Sequence, residues 1–280
     1  MTELAAAGVA YTAGAALLAV ALGLVAGSLA NVVISRMPLG QSLWTPPSHC
    51  PRCGHRLGPA DLVPVLSYLW LRGRCRYCLG RIPARYVLVE AVCGAGFGLL
   101  WQAVGRPGPW AAYATLLLLL VILGSIDLEH GILPDRLTVP GLALGLVYAG
   151  LGWTVSLLWA AAGAFAGGLV VLGIRAASRG GMGMGDAKLL AMVGAYLGPW
   201  GALAALVWGC AVGSAVGIGL VLARRAHWRQ AVPFGPFLAV GALLAALSVG
   251  RWPLPGRKLK ISKTGLNRSG PPRAPRPRAR

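Results

Sequence analysis

Long runs of Ala, Gly, Leu and Val constrain this chain more than any other feature, because they recur along most of its length. About 20 apolar residues in a helix are enough to cross the hydrocarbon of a bilayer. The apolar runs are 5–33, 86–104, 110–126, 137–153, 156–174, 187–197, 200–223 and 234–249. The run 187–197 is short and fits a tilted or partly re-entrant segment. The sequence therefore predicts an all-α polytopic membrane protein with about eight transmembrane helices.

Composition supports a membrane protein. The chain is 56% hydrophobic and 12% charged, with a mean hydropathy of +0.68, whereas soluble domains have about 45–50% apolar and about 25% charged residues. The first run is too long for a cleaved signal peptide and has no basic segment before it. It is therefore predicted to stay as a transmembrane helix.

The charge is strongly basic, with 26 Lys and Arg against 7 Asp and Glu and a net charge of +19. Most of these cations border apolar runs, which favours membrane orientation and contact with anionic lipid headgroups over nucleic-acid binding. Segment 36–85 is the only sizeable polar region between the predicted spans and is rich in Arg. By the positive-inside rule it is predicted to be cytoplasmic.

Four regions follow from this reading: a first transmembrane helix over 1–35, a cytoplasmic loop over 36–85, a membrane domain over 86–250 and a basic tail over 251–280. The loops after the third, fifth and seventh runs are also basic and also predicted to be cytoplasmic. Eight spans would place the tail, with its Pro and Arg content typical of disorder, outside. The sequence leaves open whether one run fails to cross or the tail departs from the rule.

Two CxxC pairs lie within the predicted cytoplasmic loop, separated by the segment 54–74. The four cysteines are Cys50, Cys53, Cys75 and Cys78. Paired CxxC motifs are typical of a tetrahedral structural zinc site, and unmetallated thiols or a redox pair are the alternatives. His49 and His55 flank the first pair and are expected to be solvated rather than ligands. Cys93 and Cys210 lie in apolar runs and are expected to serve packing.

Two of the few acidic residues lie where apolar runs meet polar loops, a costly position for a carboxylate without a task. Asp127 follows the third run, and Asp186 follows the glycine-rich turn that begins at Gly181. The predicted topology brings both to the same membrane boundary. Neighbouring carboxylates that share a proton can act as a general base and a general acid on a peptide bond. Helix capping and proton transport are the alternatives.

Taken together, these residues closely resemble the type IV prepilin peptidases, membrane aspartyl proteases of the GxGD type. The resemblance runs from Gly27 to Gly241. The matching stretches are 31–38, both CxxC pairs, 73–75, 85–86 with Glu90, Asp127 with 133–135, 183–188 and 233–237. The GxGD pattern also occurs in presenilin-like proteases, but together with the four-cysteine loop it is specific.

The resemblance implies cleavage of a short basic leader, after a glycine, from prepilins or type II secretion pseudopilins at the cytoplasmic face of the inner membrane. It assigns catalysis to Asp127 and Asp186. Supporting positions are expected at Gly183, Gly185, Asp135 and Lys188, with Glu129 as a weaker acidic candidate.

The resemblance also implies N-methylation of the new terminus with S-adenosylmethionine as the donor. In the family this activity is associated with the cysteine loop, where Gly73 matches a glycine, although no GxGxxG nucleotide motif is present.

Two other classes of function are alternatives to this one. An intramembrane ion or proton transporter would also use buried aspartates, but would place them near the bilayer midplane, with inverted repeats. A non-catalytic membrane scaffold with a zinc-bound loop explains the cysteines but gives the aspartates no task.

Overall fold

A computed structural model describes residues 2–178, 182–223 and 233–248. The predicted tail 251–280, most of the loop after the seventh run (224–232) and Gly181 lie outside these residues. The helices are α1 (Thr2–Arg36), α2 (Leu66–Trp70), α3 (Arg85–Val104), α4 (Pro107–His130), α5 (Asp135–Gly150), α6 (Leu157–Ala177), α7 (Met184–Leu222) and α8 (Gly235–Ser248), with a 3₁₀ helix over Pro59–Leu62. No strand occurs in the described ranges.

Among the described residues, five helices are long and apolar enough to cross a membrane: α1 over Ala13–Arg36, α3, α4, α6 and α7. Helices α5 and α8 are shorter, with 16 and 14 residues. Helix α7 is interrupted at Gly198, whose φ of +73° is not helical, immediately before Pro199. The prediction of a helical, multi-pass membrane protein is confirmed for the described part of the chain, while the number of eight spans stays a prediction.

The first half of α7 forms the centre of the bundle. Leu189, Met192, Val193 and Tyr196 are fully buried there, among side chains of α4, α5 and α8. Its opposite face packs against α6. This segment therefore fixes the position of Asp186, which lies in its first turn.

Glycine residues permit a close contact between α6 and α7. A Cβ atom on Gly163 of α6 would lie 2.3 Å from the carbonyl oxygen of Gly194, and one on Gly194 would lie 2.1 Å from that of Gly163. The backbones of α6 and α7 therefore touch directly, as small residues allow in membrane helix pairs.

The polar ends of several helices meet at one end of the bundle. Helices α1 and α4 end there, and α3, α5, α7 and α8 begin there. An ion pair between Arg85 and Glu129 joins the start of α3 to the end of α4. The Arg175 side chain, in the last turn of α6, donates a hydrogen bond to the carbonyl oxygen of Met182 over 2.7 Å. The segment between α1 and α3, with its four cysteines, lies at this same end.

Candidate active site

A cleft of about 530 Å³ opens where α4, α5, α7 and α8 meet, and we call it the aspartate cleft. Asp127 contributes from the last turn of α4 and Asp186 from the first turn of α7, with 6% and 7% of their surfaces exposed. The lining residues are Asp127, Gly131, Ile132, Leu133, Asp135, Gly183, Met184, Gly185, Asp186, Lys188, Pro233 and Phe234. All six cleft residues predicted from the sequence are therefore brought together.

The glycine-rich turn before α7 has a local explanation. Gly183 caps the helix, and its backbone N–H donates a hydrogen bond to Oδ2 of Asp186 over 3.2 Å. A Cβ atom on Gly185 would lie 2.9 Å from Cβ of Leu133. The first contact orients the carboxylate, and the second lets the start of α7 approach the segment before α5.

Asp127 is held by the start of α8, a contact that the sequence analysis did not predict. The backbone N–H of Gly235 hydrogen-bonds the Asp127 carboxylate. A Cβ atom on Gly235 would lie only 2.5 Å from Oδ2 of Asp127. The stretch 233–237 belongs to the family resemblance, but nothing local in its sequence indicates a contact with Asp127.

The other polar residues near the cleft are paired. Lys188 forms an ion pair with Asp135 over 2.7 Å at the exposed rim, and Glu129 pairs with Arg85. Asp127 and Asp186 have no cationic partner within the described ranges, and they lie close enough to interact electrostatically. Two buried carboxylates arranged in this way can divide acid and base duties between them.

The four predicted cysteines form a cluster suited to a metal ion. Their sulfur atoms all lie within 4.8 Å of one another, and those of Cys50 and Cys78 are 3.9 Å apart. Tetrahedral thiolate coordination of zinc at about 2.3 Å requires sulfur atoms roughly 3.8 Å apart. The cluster therefore fits the predicted metal site.

Each CxxC pair lies in its own eight-residue turn, and the two turns have the same form. Antiparallel bridges join His49 to Arg56 and Arg74 to Arg81 around the two pairs. In each turn the first cysteine is buried and the second is exposed. The cysteine segment is thus two copies of one knuckle facing each other across the sulfur cluster.

The two thiols of the first knuckle differ in acidity. Burial opposes ionisation of Cys50, but backbone N–H groups of Cys53 and Arg52 outweigh it and lower its pKa to about 6. At Cys53 the backbone N–H of His55 favours the thiolate, but desolvation and the surrounding sulfur atoms prevail and raise the pKa to about 11. A divalent cation would favour the thiolate form of all four.

The histidines beside the first knuckle have other contacts. Nδ1 of His49 lies 3.0 Å from the carbonyl oxygen of Pro47. The His55 ring lies over that of Tyr77, with centroids 3.5 Å apart. Neither belongs to the metal-binding cluster, which contains cysteines only.

Gly73 lies at a turn in the cysteine segment, away from the aspartate cleft. Its φ of +67° is one that glycine adopts without strain. A Cβ atom there would lie 2.9 Å from the Tyr68 hydroxyl oxygen. A side chain at position 73 would therefore displace the Tyr68 ring.

The fold and these two sites define a polytopic helical membrane protein with a paired-carboxylate cleft and a four-cysteine cluster that could hold a metal ion. Residues 114–218 match the type IV leader peptidase family, and residues 21–104 match the bacterial peptidase A24 N-terminal domain. The chain belongs to the type IV leader peptidase family.

Several curated relatives are similar over most of their length. A prepilin leader peptidase/N-methyltransferase of Aeromonas hydrophila is 42% identical over 267 residues, covering 82% of this chain and 90% of the relative. The protein of the same name from Burkholderia pseudomallei (strain 1026b) is 40% identical over 254 residues, covering 80% and 82%. The one from Myxococcus xanthus (strain DK1622) is 41% identical over 207 residues, covering 72% and 62%. No solved structure matches this chain.

Proposed function

We propose that this protein is a membrane aspartyl endopeptidase that removes the leader of type IV prepilins or pseudopilins and then methylates the new N-terminus. The observation that carries the peptidase is the aspartate cleft, where two buried carboxylates face one opening and have no cationic partner among the described residues. Family membership and the shared name of the relatives support the same activities.

In the proposed cleavage, the ionised member of the pair Asp127 and Asp186 takes a proton from a water molecule, and the water oxygen attacks the scissile carbonyl carbon. The protonated member donates its proton to the carbonyl oxygen. When the tetrahedral intermediate collapses, the C–N bond breaks and the leaving amine receives a proton from the pair. The hydrogen bonds from Gly183 and Gly235 hold one carboxylate each during these transfers.

Around this pair, we propose that Gly183 and Gly185 support catalysis by letting the start of α7 lie close to the Asp186 carboxylate and to Leu133. The exposed ion pair of Asp135 with Lys188 would shape the rim of the cleft. The expected leader is short and basic and is cut after a glycine.

Methylation is proposed for the cysteine segment 36–85, with zinc as the metal held by Cys50, Cys53, Cys75 and Cys78. The four-thiolate ligand set leaves no position open on the metal, which is typical of a structural ion. S-adenosylmethionine would supply the methyl group, which passes to the neutral amine nitrogen of the cleaved substrate while the sulfur keeps the bonding electron pair. The methylated amine then loses a proton. Gly73 would act on this reaction indirectly, by leaving space for the Tyr68 side chain.

Both activities are proposed to take place at the cytoplasmic face of the inner membrane, because arginines are concentrated at the end of the bundle that holds both sites. The membrane-embedded peptidase domain is proposed to extend over 86–250. Cleavage and methylation on one side would allow the new N-terminus to move between the sites without crossing the bilayer.

The test is mass spectrometry of a candidate prepilin incubated with the purified protein and S-adenosylmethionine, with Asp186→Ala in parallel. Loss of the leader plus one methyl mass from the wild-type reaction supports both activities. Loss of the leader alone supports the peptidase and contradicts methylation. An intact substrate in both reactions contradicts the proposal and favours the transporter or scaffold.

A further inference from the structure

A second cavity, of about 340 Å³, lies between the membrane helices α1 and α3 and the cysteine segment. We call it the loop cavity. Its floor includes Asn31 of α1 and Tyr86 and Glu90 of α3, and its roof includes Tyr68 and the buried Cys50 and Cys75. A partly enclosed space of this size is typical of a small-ligand site.

Glu90 is one of the acidic residues without an ion-pair partner in the described part of the chain. Three described acidic side chains have a cationic partner: Asp61 with Arg76, Glu129 with Arg85, and Asp135 with Lys188. Among the acidic residues whose side chains the structure describes, three have none, and two of these are the aspartates of the cleft. The third is Glu90, so the loop cavity contains a carboxylate that forms no ion pair with a described residue.

The contacts of Glu90 fix it in the cavity wall. Its Oε2 accepts a hydrogen bond from the backbone N–H of Val65 over 2.8 Å, and Ser28 provides another hydrogen bond. Val65 has a φ of +63°, unusual for a β-branched residue. Strained residues are often found at functional sites, where the surroundings hold them in place.

Asn31 supplies a second, independent indication of a ligand. It is 3% exposed, and its Nδ2 donates to the carbonyl oxygen of Tyr86 over 3.0 Å. Its Oδ1 is buried and has no hydrogen-bond partner in the described part of the chain. Because buried acceptors are nearly always satisfied, this oxygen needs a donor that the described residues do not supply.

We propose that the loop cavity binds the methyl donor S-adenosylmethionine, with Glu90 facing a positive charge of the donor and Asn31 accepting a hydrogen bond from it. This inference rests on the proposed methylation. The donor carries a sulfonium and an ammonium group, both suited to an unpaired carboxylate. It also carries a carboxylate and an adenine ring, which match the Arg36 and Arg81 guanidinium groups and the aromatic rings of Tyr68 and Tyr86 in the same walls.

The proposal explains why Gly73 would matter without touching the donor. A Cβ atom at Gly73 would collide with Tyr68, which lines the loop cavity, whereas Gly73 itself does not. Gly73 is therefore a positioning residue that acts through Tyr68.

The test measures binding of S-adenosylmethionine to the full-length, metal-loaded protein in lipid nanodiscs by isothermal titration calorimetry. Glu90→Gln keeps an oxygen for the Val65 N–H but removes the charge. Loss of one charge-assisted contact should weaken donor binding roughly tenfold or more. Metal content and leader cleavage should be unchanged in Glu90→Gln. A substitution that disturbed the fold would lower these as well. Glu129→Gln is the matched control, an acid outside the cavity, and should leave donor affinity unchanged.

Unchanged donor affinity in Glu90→Gln would overturn the assignment while leaving the proposed methylation intact. No donor binding by the wild type would overturn the inference and the proposed methylation together, and leader cleavage would still report on the peptidase separately.

A second measurement does not depend on how a variant folds. Ultraviolet crosslinking of radiolabelled S-adenosylmethionine to the wild type, followed by peptide mapping, should label peptides containing Tyr68 or Tyr86. Labelling confined to the aspartate cleft would overturn the assignment.

Discussion

The aspartate cleft and the loop cavity lie at the same end of the bundle but are constructed differently. The cleft is formed mainly by the ends of helices whose apolar faces pack around α7. The loop cavity is roofed by a segment whose only helices are a 3₁₀ turn and the five-residue α2. Helix packing supports the first site and a four-thiol cluster supports the second. The two activities should therefore respond to different perturbations.

The largest effect should come from the aspartate pair. Asp127→Asn or Asp186→Asn removes one proton-transfer group, and leader cleavage should fall by roughly 10²–10⁴-fold or more. Cleavage is measured by mass spectrometry of a prepilin. Donor binding at the loop cavity should not change, and an active single variant would remove that residue from the proposed pair.

Removal of the metal should have the opposite selectivity. The double variant Cys50→Ser with Cys75→Ser eliminates the two buried ligands, so bound metal and methyl transfer should both be lost while leader cleavage continues. Metal is measured by elemental mass spectrometry of the purified protein. Cys210→Ser, an exposed cysteine outside the cluster, is the matched control. Full metal content in the double variant would refute the four-cysteine site.

A single methyl group at the start of α8 should disturb only the aspartate cleft. Gly235→Ala would place Cβ against Oδ2 of Asp127, and displacement of a catalytic group by about 1 Å can cost about 100-fold in rate. Initial cleavage rates measure the effect. Gly173→Ala in α6, where no atom lies within 4 Å of the added Cβ, is the control and should cleave normally. Equal rates would contradict the close contact at Asp127.

The smallest effect concerns the cysteine segment at low pH. Burial disfavours the Asp61 carboxylate, but the Arg76 guanidinium and the Gly58 N–H outweigh it and hold its pKa below the usual range. Because the folded-state pKa is the lower one, the contribution to stability is present above the unfolded-state pKa and is lost as the pH falls through the folded-state value.

Carbon-13 NMR of labelled aspartate carboxyls can follow this group, since the chain has four aspartates. Arg76→Gln should move the Asp61 midpoint upward. An Asp61 midpoint that does not move would show that Arg76 is not its main stabilising partner.

Much of the helical architecture can be predicted from the sequence, because in lipid a long apolar run has few alternatives to a helix. The run predicted over 86–104 differs by one residue from α3, Arg85–Val104. The predicted break between the sixth and seventh runs falls at Gly198 and Pro199. In the structure the two runs form the single helix α7, interrupted only by the non-helical residue Gly198. The paired CxxC motifs predicted the sulfur cluster for a similar reason, since ligand spacing is a local property.

Contacts between distant segments have no such local signal. Asn31 lies within the first apolar run, and its hydrogen bond to the carbonyl oxygen of Tyr86, 55 positions along the chain, has no local sequence signal. The link from Glu90 to the Val65 N–H and the approach of Gly235 to Asp127 likewise depend on how helices pack. Glu129 and Asp135 were both candidate supporting acids, but only Asp135 lines the cleft.

The direct backbone contact between Gly163 and Gly194 has a consequence for substrate selection. Sliding of α7 along α6 would bring side chains into a space that only glycine leaves free, so Asp186 is held at a constant height along the bundle. We expect a substrate helix anchored in the bilayer to be cut only where its scissile bond reaches that height. Distance from the membrane, as well as local sequence, would then select the bond.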